Sequence, residues 1–293
     1  MPASAHIDKH AKPIPQEPDN AGIPVRRLVF DIPEPPRYFL ADNATATTFI
    51  TVLSAVFPPG ERFFIESVRR FRDRIADPEL KAAVRGFIGQ EAIHGREHDR
   101  LNELLIGRGL NTRVPELGIR GGLNVLERCS ASQQLACTAL MEHFTALLGE
   151  VLLEDDEFQA LGDSDLLQLF LWHALEELEH KAVTYDVYSL VANRRWERWL
   201  AFPLVTATLV PPILVSWAWL MWKEGKLTDR QDLQEGLTLL FGRKGLVSRA
   251  LGKMGLYARS DFHPDKKDTR ALVAHWRERL FGEQGTLTGQ VGH

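Results

Sequence analysis

The run His173-Ala-Leu-Glu176-Glu177-Leu-Glu179-His180, inside the longer segment 166–187, decides how this chain folds. As an α-helix it places Leu166, Leu169, Phe170, His173, Glu177, His180, Thr184 and Val187 on one stripe, because positions three and four apart share a face. That stripe mixes apolar side chains with three potential metal ligands. Ionisable groups on a core-facing stripe are costly unless paired, hydrogen-bonded or coordinated, and two imidazoles flanking a carboxylate at this spacing can converge on one cation. Glu176 and Glu179 share the segment and by themselves would read as a solvated face.

Composition sets the outer limits. A chain of 293 residues with 44% hydrophobic content can bury a substantial core. The net charge of −4, with Lys and Arg interleaved among Asp and Glu, leaves no basic footprint and argues against nucleic acid as a partner. Cys129 and Cys137 are the only cysteines, so neither a disulfide framework nor a thiolate zinc site is expected, and a reducing, cytoplasmic setting fits. Pro, His, Asp and Lys occupy the N-terminal stretch where a secretion signal would need an apolar run.

Working outward, residues 1–36 are rich in Pro and charge without a sustained period and read as an extended arm with no assigned chemistry. Residues 37–194 carry the helical periodicity of a bundle. A first helix is expected from Thr45 to Phe57, stopped by Pro58-Pro59-Gly60, with a new helix beginning at Glu61. In that helix Glu61 shares the apolar face of Phe64, Ile65 and Val68, while Glu66 lies opposite. Asp77-Pro78 caps a long helix to about Arg108, whose inner stripe holds Glu91, His94 and His98. A Gly-rich link is expected at 118–122, then a short helix to Cys129. Ser130 or Ser132 caps a further helix to about Leu153, in which small residues surround Glu142 and leave room beside it. His143 and Glu150 fall on the adjoining face as groups that could support the ligands. Asp163 or Ser164 then caps the organising helix, expected to continue to about Ala192.

Residues 195–282 read as an apolar helical segment and C-terminal helices packed on the bundle, with a polar tail over 283–293. From Trp199 to Trp222 there are 24 residues without a charge, bracketed by Arg194, Arg195 and Arg198 and by Lys223 and Lys226. The length suits a membrane, and Trp199, Trp217, Trp219 and Trp222 suit its interface. Pro203 and the pair Pro211-Pro212 allow instead a hairpin dipping into one leaflet or a kinked helix covering the domain.

Four helices thus each turn carboxylates inward: Glu61, Glu91 with His94, Glu142, and Glu177 with His180. One Glu from each of two helices and a Glu-x-x-His from each of two others is the ligand inventory of a dinuclear carboxylate site. The expected fold is therefore all-α, a ferritin-like four-helix bundle with extra C-terminal helices. Carboxylate and imidazole without thiolate suit two iron ions, with manganese or zinc as alternatives.

At this point the chain resembles the bacterial predicted metal-dependent hydrolases, a ferritin-like group. The resemblance rests on Pro59-Gly60-Glu61-Arg62-Phe63-Phe64, on Gly89-Gln90-Glu91 through His94 to Glu97-His98, on Glu142-His143-Phe144-Thr145, and on His173, Glu177 and His180. It spans the chain from about Val25 to the C-terminal helices. The spacing of His173, Glu177 and His180 is also similar to that of the arylamine N-oxygenases, di-iron enzymes in which a further His joins the ligands; that similarity is confined to the ligands.

Taken together these features favour a di-iron oxygenase or oxidase, with dioxygen as co-substrate and a small apolar or amine-bearing molecule as substrate. Its metal ligands are expected to be Glu61, Glu91, His94, Glu142, His173, Glu177 and His180, with His98 and His143 supporting them. A redox partner, a homodimer and membrane contact through the segment from Trp199 to Trp222 are compatible with it. The alternative is a hydrolase using metal-activated water, although no separate nucleophile motif accompanies the site; a non-catalytic metal-handling protein is the third reading.

Overall fold

A computed structural model of the chain describes residues 22–290; residues 1–21 of the expected arm and 291–293 of the expected tail lie outside them. The described residues are helical, with a single isolated bridge between Leu40 and Gly162 and no strand. The bundle consists of α1 (Ala44–Arg69), α2 (Pro78–Gly107), α4 (Ala131–Leu153) and α6 (Ser164–His180), packed in a closed ring with α1 on α2 and α4, and α6 on α2 and α4. Between them α3 (Arg113–Leu126) connects α2 to α4, and the short α5 (Asp156–Gln159) leads into α6. The chain continues through α7 (Val183–Val191), α8 (Arg195–Lys223), α9 (Arg230–Phe241), α10 (Leu246–Met254) and α11 (Arg270–Phe281).

Helix starts follow the sequence chemistry. Asp77 accepts from Glu79 N and Leu80 N at the head of α2, Ser130 accepts from Gln133 N at the head of α4, and Asp163 accepts from Asp165 N and Leu166 N at the head of α6. Gly109, at φ +88°, follows the last turn of α2 in the left-handed conformation that an L side chain resists.

Prolines and glycines depart from the expectations. Pro58-Pro59-Gly60 does not stop the first helix: α1 runs through it as one element of 26 residues. Pro58 cannot donate to Ser54 O, but Asn102 Nδ2 does so at 3.2 Å, so the orphaned carbonyl is satisfied from α2. The expected Gly-rich link at 118–122 is helical and belongs to α3. Its glycines let α8 approach: a Cβ on Gly118 would lie 3.2 Å from Pro212 Cβ, and one on Gly122 would collide with Thr208 O. Thr208 O is the carbonyl whose helical donor Pro212 lacks, and α8 nevertheless continues through Pro211-Pro212 as one helix rather than a hairpin. The organising helix, expected to reach Ala192, is interrupted at Lys181-Ala182, and its ladder resumes with Asp186 N donating to Ala182 O at 2.9 Å.

By length and composition α4 and α8 could each cross a membrane, but α4 is the buried centre of the bundle while only 17% of the apolar window of α8 is buried. One face of α8 packs on α1, α3 and α4; the other exposes Trp196, Trp199, Leu214, Val215 and Trp222. At the end of the chain, Leu287 is fully buried and its N donates to Leu280 O at 2.8 Å, so residues expected in the polar tail dock on α11.

Two apolar clusters flank the bundle centre. One contains Phe49, Leu169 and Trp172, the other Phe64, Phe87 and Leu140. Between them lies a block of buried carboxylates and imidazoles.

Candidate metal centre

Glu61 from α1, Glu91 and His94 from α2, Glu142 from α4, and His173, Glu177 and His180 from α6 are each no more than 4% exposed. They fall into two groups, Glu61 with His94 and His173, and Glu91 with Glu177 and His180, in each of which one ligand atom per residue lies within 4.8 Å of the others. Glu177 Oε1 joins the groups: it is 3.0 Å from His173 Nε2, 3.7 Å from His180 Nε2 and 4.0 Å from His94 Nδ1. Glu91 Oε1 does likewise, 3.1 Å from His180 Nε2 and 3.9 Å from His94 Nδ1. Glu142 Oε2 lies 3.4 Å from His180 Nε2.

Close as these atoms are, most lack hydrogen-bond geometry. Both oxygens of Glu61, Glu91 and Glu142, together with His94 Nδ1 and His180 Nε2, have no hydrogen-bond partner although fully buried. Orphaned buried polar atoms on this scale are strongly unfavourable unless something positive sits among them. Four carboxylates carry four negative charges, which two divalent cations balance, and the donor set of carboxylate and imidazole fits such ions.

Electrostatics without a cation point the same way. Burial, then the negative charge of Glu177, pushes the Glu142 carboxyl up to about 7. Burial and neighbouring carboxylates raise Glu61 and Glu91 well above the usual range. Burial opposes charge on His180 too, but Glu142 and Glu177 outweigh it and hold this imidazole well above its ordinary value. Burial likewise works against ionised Glu177, and His173 and His180 overcome it, keeping the carboxylate well below its usual range. The cluster thus gathers protons in place of a cation.

The hydrogen bonds behind the imidazoles fix which nitrogen faces inward. Ser54 Oγ donates its proton to Asn102 Oδ1 at 2.9 Å, so His98 Nδ1 must be the donor to Ser54 Oγ at 3.0 Å. Neutral His98 then accepts at Nε2 from His173 Nδ1 at 2.8 Å, so Nε2, which bonds Glu177 Oε1 at 3.0 Å in the absence of a cation, is the His173 nitrogen that would turn its lone pair to one. Burial holds His98 well below its ordinary pKa, in keeping with the neutral form. At His180, Gln90 Nε2 donates to Pro24 O and Glu179, so Gln90 Oε1 accepts from His180 Nδ1 at 3.0 Å and Nε2 is free inward. At His94, Nε2 lies 3.0 Å from Glu176 Oε2, and Nδ1 faces the cluster. Burial lifts Glu176 to about 8 even against Arg26; a dication beyond His94 would return it to the carboxylate that accepts His94 Nε2–H.

Several of these groups escaped the sequence reading. Glu176 is not a solvated residue but fully buried, and Arg26 from the segment before α1 bonds both Glu176 and Glu179 at 2.7 Å. No local pattern announces Arg26, because its partners lie 150 and 153 residues later. Gly95, directly after His94, makes room for a ligand: a Cβ there would lie 2.8 Å from Glu61 Oε2. An isolated Gly amid a strong helical pattern is the one signal that could have found it.

Of the two supporting histidines, His98 joins the centre and His143 does not. One residue past inward-facing Glu142, His143 turns to the layer formed after α10, where it stacks on Tyr257 and meets Phe262 edge-on. Glu150 is also elsewhere, bound by Lys253 and Lys267. Of the small residues on the Glu142 stripe, Thr145 and Gly149 line a cavity beside the centre, and Gly149 also permits the close approach of α4 and α6, a Cβ there falling 2.9 Å from Ala174 O.

Known proteins add one finding. The model of the family described as "predicted metal-dependent hydrolase" matches residues 24–268. No curated protein and no solved structure matches the chain. The family description favours metal-dependent hydrolysis over the expected dioxygen chemistry, for which it offers no support.

Proposed function

The chain belongs to the predicted metal-dependent hydrolase family, and from that premise we propose that it is a dimetal hydrolase whose centre is built by Glu61, Glu91, His94, Glu142, His173, Glu177 and His180. The observation that carries this reading is the set of buried, unpartnered oxygens on Glu61, Glu91 and Glu142 facing the free nitrogens of His94 and His180. Bound divalent cations would supply Lewis acidity, polarising the scissile group and acidifying water.

The protein's own part is to bind, orient and exclude. Glu91 and Glu177, each near ligand atoms of both groups, are placed to be shared. Thr145 Oγ1 donates to Glu177 Oε2, so that oxygen is held while Oε1 faces the imidazoles. Phe57 covers His98 and His173 at ring-centroid distances of 4.6 and 4.5 Å, Phe87 covers His180 at 5.0 Å, and Trp172 covers His94 at 4.8 Å. These rings keep bulk water from the imidazoles and lower the local dielectric, which strengthens every charge interaction within.

The exposed face of α8 extends the proposal to a membrane surface. Because its other face is committed to α1, α3 and α4, this helix would lie in the plane of the interface rather than cross it. Lys223 stands 5.0 Å over the ring of Trp222, where a headgroup-level cation and aromatic would pair.

Metal analysis and hydrolysis assays test the main reading together. Glu91→Ala and Glu177→Ala should each lose at least one equivalent of metal and all hydrolysis of ester, amide and phosphoester substrates, while Glu66→Ala keeps both. Equal metal content in all three variants would sink the centre; a metal-replete wild type that cleaves none of these substrates but consumes dioxygen in its ferrous form would restore the oxygenase.

A further inference from the structure

An apolar cavity of about 100 Å³ ends on the candidate metal centre, and we infer that it holds the unbranched apolar chain of a carboxylic ester or amide. The identity of the bond cut rests on the hydrolase reading; what the cavity binds does not. Ile50, Leu53 and Phe57 of α1, Leu148 and Leu152 of α4, and Phe170 of α6 form its walls, and His173 with Glu177 closes the inner end.

The cavity walls are almost wholly apolar and offer few polar atoms. Thr145 Oγ1 is bonded to Glu177, and Oδ1 of the half-buried Asp163 accepts two backbone N–H groups at 3.2 and 3.1 Å as the cap of α6. A polar or charged chain would therefore lose its hydration without replacement, and water in the walls would find too few partners. Among the fully buried lining groups, His173 and Glu177 are the ones that can satisfy a polar atom of the occupant. The occupant is thus amphiphilic with one polar terminus, and the reacting carbonyl belongs at that terminus. A cavity of roughly 150 Å³ accepts benzene; this smaller one suits a slim alkyl chain better than a ring. In the reaction water adds to the acyl carbon, the carbon–oxygen or carbon–nitrogen bond breaks, and the leaving alcohol or amine takes a proton.

Binding of straight-chain alkyl hydroxamates, from two to eight carbons, to the zinc-loaded protein tests this by calorimetry. Affinity should rise about fourfold per methylene until the cavity is filled. Leu148→Trp should flatten the series at unchanged zinc content, and Leu53→Ala should carry the rise to longer chains. A wild-type affinity independent of chain length overturns the inference, as does an unchanged series in both variants. The p-nitrophenyl esters and anilides of the same acids separate the two readings. Chain-dependent binding without cleavage keeps the pocket and overturns the hydrolase; cleavage with no chain dependence in rate or binding does the reverse.

Discussion

His98 Nε2 lies 2.8 Å from His173 Nδ1, and this one hydrogen bond decides which nitrogen of His173 faces the centre. His98 is a positioning residue: it bonds Ser54 and His173 and belongs to neither ligand group. Replacing an outer partner of a ligating imidazole typically lowers metal affinity by roughly 10–100-fold. His98→Ala should show a loss of that order by competition with a chelator, at a melting temperature measured in parallel. His98→Gln, whose amide oxygen can still accept from His173 Nδ1, should recover part of it. Identical affinities in all three proteins would refute the assignment.

Gly95 gives a sharper test because it separates stability from metal binding. In a helix interior Ala is favoured over Gly by up to about 1 kcal/mol. A Cβ at this position meets the far end of the Glu61 side chain, which can swing aside. Gly95→Ala should therefore keep or raise thermal stability while reducing metal content toward one equivalent. Full occupancy by elemental analysis would show that the Glu61 carboxylate is not needed where it stands.

The metal-free protein should lose stability as pH rises from 6.5 to 8.5. Glu142 is lifted from 4.5 to about 7 and Glu176 to about 8, and Glu61 and Glu91 are raised as well, so over this range the folded state holds protons that the unfolded state has released. His180, also raised, is protonated in the fold and neutral in the unfolded chain above 6.5. Each of these makes unfolding release a proton over this range, and each therefore lowers stability with increasing pH. The histidines with depressed values, His94, His98 and His143, act in the opposite sense, but their contribution fades within about one pH unit above 6.5 and is outnumbered by the raised groups. Melting curves of chelator-treated protein should show the decline, and metal-loaded protein should not. A flat metal-free profile would contradict it.

For α8 the measurement is co-sedimentation with anionic vesicles. Wild type should partition at least partly with them, and the double variant Val215→Lys, Leu214→Glu, at exposed positions, should remain in the supernatant with unchanged metal content. Absence of wild-type binding at low salt would remove the membrane from the proposal.

Helical periodicity alone placed Glu61, Glu91, His94, Glu142, His173, Glu177 and His180 on inward faces, because a period of 3.6 reports which side of a helix meets the core. It does not report what packs opposite. Glu176 therefore passed for a solvated neighbour of Glu177, although Arg26 lies against it in the fold. His143 was drawn to the centre by adjacency to Glu142 in sequence, which on a helix is a turn of about 100° away from it. The prolines misled for a related reason: a proline forbids one donor, but only the tertiary structure reveals whether another group, such as Asn102, takes its place.

That last substitution reaches further than the straightness of α1. Asn102 uses its amide nitrogen on the carbonyl of Ser54 and its amide oxygen on the hydroxyl of the same residue. Had position 58 a backbone N–H, the carbonyl would be claimed within the helix, the amide would be free to turn over, and the Ser54 hydroxyl would be free to point its proton at His98 instead. The direction of every proton from Asn102 through Ser54 and His98 to His173 would then be reversible. A missing atom in the backbone thus acts as a polarity setting, imposing on a four-residue wire the single orientation that leaves an electron pair at the centre of the bundle.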